Sequence, residues 1–513
     1  MKSKQGMLQT TIILYFLQIA TMILSFARSS IFAYFFGTTW QADAYNVALK
    51  VPTVLFAVVA TAIKTVTIPL YSKQLYENGK EKADNFYSNL MSIVVIVAVI
   101  FSGVCCVLSK EVVLLFAPGL DTEPLNLASK LTKIFSISIA MLSVVNIQDG
   151  ILNVYKKYTY AKVSSEIAIV VRILFLVILA GSIGVYAAVL GFMIGTFCSL
   201  LMSSFGTRKV AKYRFTLDLK DETMRLALKS SIPVFLGVGL AEINRIIDGA
   251  IASYMDSGSI SALNYASTLE TAIVSLCITI INTIYYPIIA KEVSQKNTES
   301  LCKTYNLVMS ILMYISLPIF FGGLVMRKDI VSVVYYRGAF TAENVTIVSV
   351  LFAIYLIGIL FVGIRHTASN VLYAMTDTKT PMINSSIGVV VNIVLNIVLG
   401  HLIGVYGLAL ATAVSMITAT IFMIWSTTKK IPALSLKPFF SSIVKGGSAS
   451  LLMAAVVFLI DPLLSMSLYP KCFLRILIGA VVYFAALVIM RVEELQELMT
   501  QLKKRFLKKG ERE

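Results

Sequence analysis

Charge is scarce in this chain. Only 14% of its 513 residues are Asp, Glu, Lys or Arg, against about 25% in a soluble domain. Histidine is scarcer still. His366 and His401 are the only two, so a metal centre built from protein ligands is not expected. The six cysteines, Cys105, Cys106, Cys198, Cys277, Cys302 and Cys472, form no CxxC pair and lie in or beside apolar runs. They read as small core residues, not as a disulfide framework or zinc site. No Walker A loop and no nucleophile–base pair occurs, so ATP hydrolysis and covalent catalysis lack support. Nor is any polar stretch long enough to fold as a separate domain.

What fills the chain is apolar sequence, 58% by composition, with a mean hydropathy of +0.83. A helix crossing a bilayer needs about 20 apolar residues. About fourteen such runs fit, near 8–36, 44–71, 86–108, 125–152, 159–181, 184–206, 228–254, 260–290, 304–326, 344–373, 381–400, 404–427, 438–460 and 472–490. Barrel strands alternate over roughly ten residues and do not stay apolar for twenty. The expected class is an all-α polytopic membrane protein. The first run is too long for a signal-peptide core and reads as a retained helix.

A net charge of +17 would suggest nucleic acid in a soluble protein. Here the basic residues gather in alternate loops, where they orient helices and call for no nucleic acid. Lys2 and Lys4 share a side with Lys73, Lys80, Lys82, Lys156, Lys157, Arg208, Lys209, Lys291, Lys296, Lys379, Lys429 and Lys430. Both termini are therefore expected in the cytoplasm. The loop carrying Arg327, Lys328 and Arg337 is the exception.

An internal repeat outweighs any single motif. Shifted by 218 residues, 43–73 falls on 261–291 without a gap, and Ala44, Asn46, Ala48, Thr53, Thr61, Ile63, Thr65, Pro69 and Lys73 meet identical residues. Ile183-Gly184-Val185-Tyr186 recurs as Ile403-Gly404-Val405-Tyr406. The expected organisation is two parallel six-helix lobes, 1–215 and 222–430, then two additional transmembrane helices over 431–490. A basic amphipathic cytoplasmic tail, 491–513, completes it. Parallel repeats of this kind are a transporter design, with the site between the halves.

An ionisable residue at helix centre costs about 2.5–3.5 kcal/mol, so each needs a partner or a watery cavity. Arg28 on the first helix and Lys50 and Lys64 on the second are all cationic, and Asp43 stands only at the start of the second. Unpaired cations facing one cavity call for an anionic ligand. The alternative is that the lysines snorkel to opposite interfaces and Arg28 pairs with a carbonyl or Asp43. On the seventh helix Glu242, Arg245 and Asp248, three apart, form one stripe, and Glu270 beside Thr271 follows on the eighth. The stripe reads as a neutralised packing ladder or as a coupling or gating site for a proton or Na⁺. Arg365 and His366 on the tenth helix are candidates for the same cavity. For Arg172 and Glu166 on the fifth, cavity and packing both stay open.

Ser25-Phe26-Ala27-Arg28, Phe36-Gly37, Ala42-Asp43-Ala44-Tyr45 and Lys50-Val51-Pro52 resemble the opening of MurJ-type lipid II flippases. The resemblance continues through 257–266 and Arg337-Gly338-Ala339-Phe340-Thr341 and covers nearly the whole chain. It implies fourteen helices, a cationic central cavity and two extra helices forming a groove for a lipid tail. Members of that family, within the multidrug/oligosaccharidyl-lipid/polysaccharide exporter superfamily, move an undecaprenyl-diphosphate-linked peptidoglycan precursor to the outer leaflet. The implied setting is a bacterial plasma membrane. The implied partners are a lipid-linked anionic saccharide, membrane lipids and the cell-wall synthesis machinery. Arg28, Lys50, Lys64, Arg245 and Arg365 would bind substrate, with no resident cofactor and with H⁺, Na⁺ or the membrane potential as driving force. The family's further arginines on helices 2 and 8 match Phe56 and Thr268 here, and the Asp that often follows the first arginine is Ser29. Other readings are a flippase for a different polyprenyl-linked saccharide or a cation-coupled drug exporter. The exporter should favour a carboxylate-lined cavity, which the first half does not offer.

Overall fold

The computed structural model describes residues 2–492. The basic tail, from residue 493 on, lies outside the described residues, as do the side chains of Lys64 and Phe56. The chain is a succession of helices: α1 Lys2–Phe36, α2 Trp40–Lys50, α3 Phe56–Glu77, α4 Gly79–Val107, α5 Ser109–Phe116, α6 Thr122–Val154, α7 Tyr158–Ile183 and α8 Tyr186–Thr207. There follow α9 Glu222–Ala252, α10 Ser259–Ile273, α11 Thr279–Ser294, α12 Thr298–Tyr335, α13 Ala342–Ala374, α14 Lys379–Ile403, α15 Val405–Lys430, α16 Lys437–Ile460 and α17 Leu468–Ile489. Among the described residues eleven helices are long and apolar enough to cross a membrane, and the bent pair α10–α11 makes a twelfth if counted as one span. Of the fourteen expected runs, 44–71 corresponds to α2–α3, broken by a π-helical turn, and 228–254 to α9, which carries Glu242, Arg245 and Asp248. Neither counts as a span by length and apolarity alone.

The break between α2 and α3 has a local cause. Pro52 lies inside the π turn Val51–Leu55. A proline has no N–H to donate, and its ring collides with the carbonyl four residues back. Widening the helix by one residue absorbs both faults. A second π turn, Val274–Ile278, interrupts the corresponding helix of the other repeat.

The repeat is written into the backbone as well. Among the described residues, eight of the ten at positive φ come in pairs: Gly37 with Gly258, Gly79 with Lys296, Lys156 with Thr376, and Gly184 with Gly404. Gly184 and Gly404 share φ near +60° and ψ near −140°, a region open almost only to glycine. The two halves therefore turn at the same places.

By contacts the chain divides into two compact units, Met1–Asn264 with Arg337–Asn344, and Tyr265–Tyr336 with Val345–Glu513. In the first, Tyr71, Phe86, Tyr87, Ile147, Ile151 and Met224 pack α3, α4, α6 and α9 together. In the second, one core gathers around Tyr305, Met309, Leu372 and Met423. Another, around Met326, Met453, Tyr483 and Leu487, joins α12 to α16 and α17.

The ninth helix departs from expectation. The apolar run ends at 326, but α12 continues to Tyr335 and takes Arg327 and Lys328 with it. Its extension is held by a charge network that the apolar pattern concealed. Arg475, inside the last expected span, is 3% exposed. It binds Asp329 of α12 and, at 2.6 Å, Asp461, which also accepts from Lys471 at 2.9 Å.

Candidate substrate site

At one end of the first unit, where α1 stops and α2, α10 and α13 start, the chain closes on itself through backbone and short polar side chains. The buried Asp43 carboxylate takes the N–H of Gly258 at 2.6 Å, the N–H of Ser261 at 2.7 Å and the Ser261 hydroxyl at 2.6 Å. It thus caps the free N–H groups of α10 from another helix. Beside it, Asn46 donates to Ser261 at 3.0 Å and accepts from Asn264 at 2.9 Å. Ala339 N–H bonds to Tyr34 C=O at 2.8 Å, and Asn344 to Thr38. The approach is close enough to require glycine. A Cβ on Gly258 would strike the Thr38 carbonyl, and one on Gly338 the Tyr34 carbonyl, each at positive φ. Stretches quoted above for the family resemblance, 36–37, 42–45, 257–266 and 337–341, meet at this seam. A cavity of about 480 Å³, lined by Trp40, Asp43, Asp121, Glu123 and Asp256, opens next to it.

Deeper in the same unit two arginines share a site. Gly191 lets α8 approach α7 so closely that a Cβ there would lie 3.2 Å from the Arg172 Cα. This sets the Arg172 guanidinium over the Phe192 ring, 4.0 Å from its centroid. The charge of Arg28 acts on Arg172, and both act on the Tyr45 hydroxyl, which hydrogen-bonds Arg28. Tyr45 is held by Phe32 at 4.7 Å and Phe135 at 5.8 Å between ring centroids. Among the described residues neither arginine forms an ion pair, and Arg172 Nε is buried without a hydrogen-bond partner. Ser29 supplies no carboxylate beside Arg28. The nearby acid, Glu166, accepts instead from Thr21 of α1. Like charges held together without a counter-ion repel, and a bound anion relieves them. Guanidinium forks suit phosphate oxygens in particular. Arg172 and Tyr45 were not among the residues assigned to the site from sequence. The available signal was an arginine in mid-span with no acid one turn away.

Lys50, expected in that cation group, is engaged elsewhere. Its ammonium packs against the Cα of Gly249 on α9, where a Cβ would overlap it. The charges of Asp248 and Asp43 act on it. The stripe on α9 is therefore not one ladder. Arg245 pairs with Glu242 at 3.4 Å while staying 67% exposed, and the charge of Asp248 acts on Lys50.

The remaining candidates belong to the second unit. Glu270 accepts a 3.4 Å bond from the Thr271 hydroxyl. Arg365 has a buried Nε with no partner, and His366 is exposed beside it. Asn282 of α11 accepts from Thr367 at 3.0 Å and Asn370 at 3.3 Å, fixing this stretch of α13.

Comparison with known proteins identifies the family. The family described as "Lipid II flippase MurJ" matches residues 32–479. A probable lipid II flippase MurJ of Thermotoga maritima is 27% identical over 483 residues, 93% of this chain and 95% of its own. A lipid II flippase MurJ of Thermosipho africanus is 28% identical, over 86% of this chain and 88% of its own. A solved structure described as lipid II flippase MurJ in an inward closed conformation superposes with a TM-score of 0.83 at 27% identity, over 93% of this chain and 98% of that one. An inward-facing multidrug transporter of the MATE family, at 15% identity and a TM-score of 0.70 over 80% of this chain and 95% of that one, shares the fold. With the family matched from the end of α1 to the middle of α17, this chain belongs to the lipid II flippase MurJ family.

Proposed function

We infer that this protein carries lipid II, an undecaprenyl-diphosphate-linked peptidoglycan precursor, from the cytoplasmic to the outer leaflet by alternating access. The observation that carries this reading is the Arg28–Arg172 pair with Tyr45 and no carboxylate counter-ion. The diphosphate lies across the two guanidiniums, whose fields act strongly in a site shielded from bulk water. Arg365 and Lys64, and Lys50 once it leaves α9, add positive charge along the route. No bond of the substrate is made or broken.

Fourteen crossings with both termini cytoplasmic follow if α2–α3, α9 and α10–α11 each span once. The Asp43 seam then lies at the outer end. Opening requires Asp43 to release the start of α10 and Lys50 to part from Asp248. Once apart, those carboxylates can take up a proton or Na⁺, as can Glu242 and Glu270. The membrane potential is a second source of drive. Each negative charge moving outward gains about 2.3 kcal/mol per 100 mV inside negative. The polyprenyl tail stays in lipid beside α16 and α17, whose outer faces present Val444, Phe458, Phe473 and Val481.

The test is translocation of fluorescent lipid II in proteoliposomes, run beside ethidium efflux. Lipid II movement that Arg28→Ala abolishes, with no ethidium efflux, supports the reading. Ethidium efflux without lipid movement overturns it. A second arm with another polyprenyl-diphosphate saccharide bears on the alternative favoured by Phe56 and Thr268, where family arginines are replaced.

A further inference from the structure

The linker between α8 and α9 is neither helix nor free loop. Its residues 212–220, Lys-Tyr-Arg-Phe-Thr-Leu-Asp-Leu-Lys, alternate polar and apolar, so an extended backbone sends the two classes to opposite sides. The polar positions lie on α4. Ser88 donates to Lys212 C=O at 3.3 Å and accepts from Arg214 N–H at 3.0 Å. Ser92 accepts from Thr216 N–H at 3.3 Å, and Asn89 clasps both backbone groups of Asp218, at 2.8 and 2.6 Å. Three side chains on α4, each no more than 3% exposed, thus satisfy five backbone groups. Extended backbone is excluded from lipid because its polar groups find no partners there, and here that objection is removed. The apolar positions look outward: Phe215 is 71% exposed, Leu217 55% and Leu219 57%. Tyr213 stays half anchored through its hydroxyl, 3.1 Å from Ser92. The cations Arg208, Lys212, Arg214 and Lys220, in or beside the stretch, are exposed. The one carboxylate within the stretch, Asp218, is occupied by Lys220 N–H at 2.8 Å.

We propose that residues 212–220 form an interfacial anchor that seats Phe215, Leu217 and Leu219 in the bilayer and binds anionic phospholipid headgroups through Lys212, Arg214 and Lys220. The apolar row alone would fit a partner protein as well. The cationic flank selects an anionic lipid surface, to which each such charge adds attraction. The anchor ties the linker between the two repeats to the membrane surface and to α4, so the linker takes up the bilayer plane as its reference. This goes beyond the transport reading and does not depend on it.

Tryptophan emission from the full chain in vesicles tests it. Phe215→Trp and, as a second reporter, Leu217→Trp are compared with Lys80→Trp at the start of α4, each after subtraction of the wild-type signal from Trp40 and Trp425. In phosphatidylcholine with brominated acyl chains, the two linker reporters should emit further to the blue and be quenched, while Lys80→Trp is not. Phosphatidylglycerol should deepen that quenching, and Lys212→Gln/Arg214→Gln/Lys220→Gln should abolish the increment. Linker reporters quenched no more than Lys80→Trp in either lipid overturn the anchor, since a surface kept for a protein partner would face water in these vesicles. An increment that survives the triple substitution overturns the headgroup assignment.

Discussion

Asn264 donates to Asn46 at 2.9 Å, and the two occupy equivalent positions in the 218-residue repeat. An element touches its own counterpart only where a local two-fold axis passes between them, and Asp43 bonding to its counterpart Ser261 repeats the relation one turn away. The seam is therefore the self-facing part of the repeat. It is built from short side chains and backbone that can part without exposing a large apolar surface.

Cross-linking tests the seam as a gate. With the six native cysteines replaced, Asn46→Cys/Asn264→Cys should form a disulfide under mild oxidation and stop lipid translocation, and reductant should restore it. Unimpaired transport by the cross-linked protein would show that the seam never opens.

Arg172→Ala should reduce transport about as far as Arg28→Ala, at least tenfold for a lost charge-assisted contact of about 1.5–3 kcal/mol. Arg172→Lys should recover only part of it, because an ammonium neither forks onto phosphate nor stacks flat on Phe192. The check is initial translocation rate at matched protein density. A wild-type rate for Arg172→Ala would leave Arg28 as the sole arginine of the site.

On α9 the expectations now differ by residue. Arg245→Ala should cost at most about 1 kcal/mol of stability, since the Arg245 side chain stays 67% exposed and solvent screens its pair. Asp248→Ala should cost more by stranding Lys50. The charge swap Lys50→Asp/Asp248→Lys should recover thermal stability in detergent relative to either single reversal. Additive losses in the swap would mean that the two residues do not pair.

Arg475→Leu should lower stability by about 3 kcal/mol, the low end for breaking a buried pair, because Asp329 and Asp461 keep part of their hydration. Detergent melting reports it. Adding Asp329→Asn and Asp461→Asn should restore most of the loss, which a purely steric effect of the leucine would not allow.

Asp377, in the turn between α13 and α14, is held well below the usual carboxylate range by hydrogen bonds from Lys430 and Thr380. A depressed carboxylate stabilises the fold above its unfolded value, about 3.9, and the contribution fades as pH falls toward the folded value. Melting of Asp377→Asn and wild type should therefore converge below about pH 4 and separate at neutral pH. A constant gap would assign the difference to the turn itself.

Much of this molecule was legible in one dimension. Transfer of apolar residues into lipid sums along the chain, so the polytopic all-α class follows from composition and run length. The repeat shows in identical residues, and Gly184 and Gly404 place its turns because hardly any other residue tolerates their backbone. Arg28 stood out because an arginine in an apolar run demands explanation. Partners were not legible. Spacing along a helix fixes which side chains share its face, not what that face meets, so Glu242, Arg245 and Asp248 read as one ladder until packing brought Lys50 within the field of Asp248. The same holds for Arg172, set over Phe192 by the close approach of α7 and α8 at Gly191, and for Arg475, whose acids lie on two other elements. Charge pairing inside a membrane is decided by distances of a few ångströms between segments far apart in sequence, and those distances exist only once the helices have packed.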